Sequence, residues 1–133
     1  MRVISESTLQ RFREATHCGY CRQRLRLRSE PHHVFTRGLV RLDVSLNLLS
    51  LGSAMDCGCH TAFHNGCLPR SDLVAMISQR EELLFSEDEL RNLVYLFARA
   101  PKDATAGWFA GQTLDWTAGE RLLVARTLKE VGL

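Results

Sequence analysis

Hydrophobic and polar positions change rhythm near Leu68, and the change divides the chain into a first half of short elements and a second half of longer helices. In the segment STLQRFREA, residues 7–15, Leu9, Phe12 and Arg13 fall at helical spacing behind Ser7, a residue that can cap. Residues 22–28 alternate instead: Arg24, Arg26 and Arg28 on one side, Leu25 and Leu27 on the other, the periodicity of extended chain. Residues 32–35, after Pro31, and residues 45–51 read as two further strands. Residues 60–64 read as a short helix closed by Asn65-Gly66, where glycine supplies a left-handed cap.

Beyond Leu68 the period is helical. Leu73, Met76, Ile77, Arg80 and Leu83 lie in register over 71–83, and Ser86 with Glu89 forms a capping box that opens a helix reaching about Ala100, ended by Pro101. A loop over 101–116 carries Trp108 and Trp116, expected to anchor a core rather than stack on bases. Thr117 and Glu120 open a last helix to about Val131. The pattern predicts an α+β fold in one domain, 1–133, with a core over about 16–68, a short helix before it and a helical extension over about 69–133.

The chain's 133 residues suit one core. The N-terminus lacks a secretory pattern, and no apolar run approaches the roughly 20 residues that cross a bilayer. A soluble cytoplasmic protein without membrane contact is therefore expected. Five cysteines, an odd number, fit reduced metal-binding thiols better than a disulfide framework. The small net charge of +2 hides an asymmetry: residues 1–41 hold nine arginines against three glutamates, whereas the rest of the chain holds eight basic and twelve acidic residues. Arginine's planar fork suits phosphate oxygens, so Arg24, Arg26, Arg28, Arg37 and Arg41 are candidate nucleic-acid contacts. The helices beyond Leu68 carry no obvious chemistry; they are candidate surfaces for packing on the core, for a homodimer, or for a phage or host protein.

Chemistry concentrates between Cys18 and Gly66. Cys18-x2-Cys21 is the spacing with which one knuckle gives zinc two of its four ligands. Cys57-Gly58-Cys59 is one residue short of that spacing, with Gly58 free to adapt. Cys18, Cys21 and Cys59 are the firmest ligands of a structural zinc, and the fourth falls to Cys57, with Asp56 or Cys67 as substitutes. His60 and His64, one helical turn apart, share a face and can hold one ion. His32 and His33 are adjacent on a strand and point to opposite sides, so one can ligate with His60 and His64 while its neighbour serves as a base.

The ordered set Cys-x2-Cys, His32-His33, Asn47-Leu48, Cys59-His60-x3-His64 and Gly66 resembles the HNH, or ββα-metal, nucleases over about residues 16–66. The resemblance implies a divalent-metal-dependent endonuclease that hydrolyses DNA phosphodiesters to 5′-phosphate and 3′-hydroxyl ends. It implies His33 as general base, Asn47 as the residue that orients the site, and His32, His60 and His64 as ligands of the catalytic ion. That ion would be Mg²⁺ or, for an all-histidine set, Mn²⁺, Ni²⁺ or Co²⁺. A small enzyme with a zinc knuckle suits a phage or mobile-element setting in a bacterial cytoplasm. The competing expectation is a zinc-dependent nucleic-acid-binding module without catalysis.

Overall fold

Glycine and proline punctuation and a few capping side chains set most of the element boundaries. In the computed structural model, which describes residues 1–36, 38 and 40–133, the described residues form six α-helices and one two-stranded antiparallel sheet. The elements are α1 (Glu6–Arg13), β1 (Glu30–His33), a 3-10 turn (Ser45–Asn47), β2 (Leu48–Leu51), α2 (Cys59–His64), α3 (Arg70–Glu81), α4 (Glu87–Arg99), α5 (Ala106–Gln112) and α6 (Ala118–Val131).

Helix α1 is capped by Ser5, two residues ahead of the expected Ser7, because the Ser5 hydroxyl accepts from Thr8 N. Its buried face, Leu9 and Phe12, closes a small cluster with Leu48 of β2. The strands pair in the register His33 with Leu48, His32 with Leu49, Pro31 with Ser50 and Glu30 with Leu51. Opposed residues in such a pair point to the same face, so His33 shares the α1 side with Leu48, and His32 lies on the other. Strand β2 is shorter than expected because Ser45 to Asn47 turn before the chain extends.

Residues 22–28 are not a strand. Arg22 sits at φ 66°, left-handed backbone that interrupts extension, and no neighbouring strand takes the donors that follow. The N–H groups of Arg26 and Leu27 go instead to the Asp56 carboxylate at 2.7 and 3.0 Å, and Leu25 N goes to Thr16 O. Leu27 is consequently exposed.

The helical extension and the strand region share one core. Leu73 and Ile77 of α3, Leu93 and Phe97 of α4, and Leu123 of α6 pack with Val34, Leu42, Leu46, Leu49 and Leu51. Each such fully buried side chain contributes roughly 1.5–3 kcal/mol. Ser86 makes both halves of its capping box with Glu89, while Thr117 caps α6 through Glu120 N. The expected loop over 101–116 contains α5, started by Thr105 accepting from Trp108 N and held by Phe109, whose ring lies 4.8 Å from that of Phe97. Two glycines among its seven residues, Gly107 and Gly111, weaken its intrinsic helicity. Burial of Phe109 compensates. Trp108 and Trp116 are partly buried against the same core. Among the described residues, no helix is long and apolar enough to cross a membrane.

Candidate functional site

Two clusters of metal-ligating side chains flank the start of α2. The first joins Cys18, Cys21, Cys57 and Cys59, whose sulfurs all lie within 4.8 Å of one another. The knuckle that presents Cys18 and Cys21 is closed by Arg22 N to Cys18 O at 3.0 Å and is laid on β2 by Gly19 N to Ser50 O at 2.7 Å. Arg22 and Tyr20 tie it to α3 through Gln79 and Asp72. The second pair is turned by Gly58, at φ 78°, while Ser53 O accepts from both Asp56 N and Gly58 N. That turn lets the short Cys-x-Cys step deliver both thiols.

Cys57 therefore takes the fourth place. Asp56 is occupied by the Arg26 and Leu27 N–H groups and by the Arg26 guanidinium at 3.6 Å. Cys67 is exposed and outside the cluster, not the buried small residue expected of an isolated cysteine.

Burial opposes ionisation of the Cys18 thiol, but N–H donors from Cys21, Gly52 and Tyr20 and the Cys57 thiol outweigh it and bring its pKa down to about 7. Burial, then neighbouring Cys57 and Cys21, push Cys59 up. Four crowded thiols do not ionise together without a cation between them. The set can hold a metal ion such as zinc, and with four protein ligands it is a closed site.

The second cluster is His32, His60 and His64, with one ring nitrogen from each within 4.8 Å of the others. His32 reaches from β1 to the face of α2, its ring 5.2 Å from His60, 5.3 Å from His64 and 4.6 Å from Phe63. The Nε2 atoms of His60 and His64 are 3.0 Å apart. His32 is 5% exposed, and its Nε2 is a buried polar atom with no hydrogen-bond partner among the described residues. An orphaned buried acceptor costs roughly 1–3 kcal/mol, a penalty that coordination of a cation removes. Burial first, then His60 and His64, lower the His32 pKa to about 4, so its lone pair is available at neutral pH. Burial, then His64, lower His60 as well. Three imidazoles fit a divalent transition ion and leave coordination positions open.

His33 lies on the opposite side of β1. It is 7% exposed, and its Nε2 is 2.8 Å from Oδ1 of Asp43, a residue 1% exposed. Asp43 Oδ2 also accepts from Arg41 Nη2 at 3.0 Å, Arg41 Nε at 3.2 Å and Ser5 N at 3.0 Å. Burial disfavours its charge, yet the Arg41 fork, His33 and Ser5 together hold its carboxyl below the usual range.

Asn47, wholly buried, accepts from Phe35 N at 2.9 Å and donates to Phe35 O and Leu42 O at 3.2 Å each. Its amide clamps both ends of the segment that follows His33.

The arginines expected on one face are dispersed. Arg26 donates to Met55 O and pairs with Asp56, Arg28 donates to Gln10, and Arg41 grips Asp43. Arg24 is exposed, and Arg37 lies outside the described residues. Asp43 escaped the sequence reading although a signal existed: a lone carboxylate inside the apolar run Val40–Val44, two residues from Arg41 on extended chain, marks a buried paired charge.

In comparisons with protein-family models, curated proteins and solved structures, none matches this chain.

Proposed function

We propose that the chain is a divalent-metal-dependent endonuclease of the HNH kind that hydrolyses phosphodiester bonds of DNA, with a structural zinc on Cys18, Cys21, Cys57 and Cys59. The observation that carries the reading is the difference between the two clusters. The thiol set offers four ligands and is closed, whereas the histidine set offers three, holds an orphaned His32 Nε2, and lies on the strand that also presents His33. Structural sites are closed; catalytic ones keep a position for water or substrate.

A divalent ion on His32, His60 and His64 would supply charge stabilisation at a phosphate oxygen and at the departing 3′ oxygen. His33 takes a proton from the attacking water. Asn47 keeps the segment after His33 in place through its hydrogen bonds to Phe35 and Leu42. Arg24, exposed beside the knuckle, remains a candidate phosphate contact.

The test is nicking of supercoiled plasmid by zinc-loaded protein across Mg²⁺, Mn²⁺, Ni²⁺ and Co²⁺. Nicking that requires an added ion and is abolished by His33→Ala, with zinc content unchanged, is the expected result. Plasmid binding without nicking under any ion overturns the reading in favour of a non-catalytic zinc-dependent binding module.

A further inference from the structure

Resting on the endonuclease reading above, we propose that Asp43 is the positioning residue of the reaction: it accepts the Nε2–H of His33, fixes the ring in that tautomer, and makes Nδ1 the atom that receives the proton from water.

The argument starts from what a carboxylate can do. An ionised carboxylate only accepts hydrogen bonds, so the 2.8 Å contact to Nε2 requires the hydrogen to sit on Nε2 and leaves the lone pair at Nδ1. Asp43 is held ionised in a buried place by the Arg41 guanidinium, His33 and Ser5 N–H. Its two oxygens divide the work: Oδ1 faces His33, and the shortest Arg41 and Ser5 contacts are to Oδ2. The carboxylate is therefore fixed in orientation as well as charge.

The backbone adds a second restraint. Val3 N donates to Arg41 O at 2.8 Å and Asp43 N to Val3 O at 2.9 Å, so the segment before α1 lies along 41–43 and locks the carboxylate's own main chain. No hydrogen bond to Nδ1 of His33 is found among the described residues, and that nitrogen is not among the buried unpartnered atoms. Arg41 is thereby reassigned. Its fork serves Asp43, and a phosphate contact would take from Asp43 the partner that keeps it charged.

The proton transfer balances as follows. Water gives a proton to Nδ1 as its oxygen forms the new bond to phosphorus, and the imidazolium keeps its Nε2–H on Asp43. The bond from phosphorus to the 3′ oxygen breaks, its electron pair leaves with that oxygen, and the oxygen takes a proton from solvent. His33 then returns its extra proton to water. Asp43 stays ionised throughout, stabilising the transient positive ring.

The experiment uses the full chain loaded with zinc. Imidazole ¹⁵N spectra of the wild-type protein should show His33 as the Nε2–H tautomer; the Nδ1–H tautomer would overturn the proposal without any variant needing to fold. With Mn²⁺ added, Asp43→Asn should lower kcat for plasmid nicking by roughly 10³- to 10⁴-fold, as the equivalent change does in a serine protease triad. KM should stay within about twofold, and Asp43→Glu should recover part of kcat. Wild-type kcat in a folded, zinc-replete Asp43→Asn protein sinks this proposal alone. A wild-type chain that nicks with no ion at all sinks the endonuclease reading and this proposal together.

Discussion

Cys59 and His60 are consecutive residues at the start of α2, yet the first contributes its sulfur to the thiol cluster and the second its ring nitrogen to the histidine cluster. One turn of helix thus carries a ligand of each site, and His60 N is itself fixed by Gly52 O at 3.0 Å. Stability of the first cluster is geometry for the second.

Stripping metal from the thiols should therefore disable both. Chelation strong enough to release about one zinc per chain is expected to unfold the region around 52–60 and to abolish Mn²⁺ binding at the histidines, because structural zinc sites carry on the order of 10 kcal/mol of apparent folding energy. Mild chelation should remove only the histidine-bound ion. Metal analysis alongside circular dichroism distinguishes the steps; a fold unchanged after full stripping would refute the staple.

Gly52 should tolerate no side chain. A Cβ there would lie 2.3 Å from Cys57 Sγ and 2.9 Å from Leu25 Cδ2. Gly52→Ala is expected to destabilise the protein by about 1–3 kcal/mol, as overpacking does, and to weaken zinc at least about tenfold in a chelator competition. The control is Gly111→Ala in α5, where nothing lies within 4 Å. There the change should stabilise by roughly 0.5–1 kcal/mol in urea melts.

Asn47→Ala should cost about 3 kcal/mol by equilibrium unfolding. It leaves Phe35 N unsatisfied in the interior and removes donors from Phe35 O and Leu42 O. In the nicking assay kcat should fall further than plasmid affinity, since the amide holds the segment after His33 and points to neither cluster.

With the histidine cluster free of metal, stability should decline from neutral pH toward pH 4. His32 is held near 4 in the folded protein against an ordinary 6.5. The unfolded chain therefore binds the extra proton first, and stability is complete above 6.5 and lost as pH falls toward 4. The full effect is roughly 3 kcal/mol. Asp43 adds a separate loss at lower pH, because its depressed carboxyl gives up its contribution only as pH falls through its folded value. Urea midpoints of the wild-type protein and His32→Phe between pH 4 and 7 check this: the variant should lack most of the upper phase.

Local spacing made the ligands legible. Cys-x2-Cys and His-x3-His each place two side chains within one turn, so Cys18 with Cys21 and His60 with His64 could be paired before any fold was known, and Ser86 and Gly66 marked helix ends through hydrogen bonds and backbone preferences that are equally local. What escaped depends on partners far along the chain. Arg26 meets Asp56 and Arg28 meets Gln10, which scattered the expected cationic face. The 22–28 alternation carried no information about whether a strand would lie beside it. Asp43 gains its role only because the segment after β1 returns to His33, ten residues earlier. Helix α5 exists because Phe109 finds Phe97, against the preference of its own glycines.

The arrangement of ligands along the chain also sets an order of assembly. The segment between Cys21 and Cys57 contains His32 and ends just before His60, so closing it through the thiols already brings the histidines within reach and removes much of the loop entropy that a second closure would cost. The thiol-bound ion should load first and leave last. Under metal scarcity the molecule would then persist as a folded, silent form, and the supply of the exchangeable ion at the histidines would act as a throttle on the enzyme.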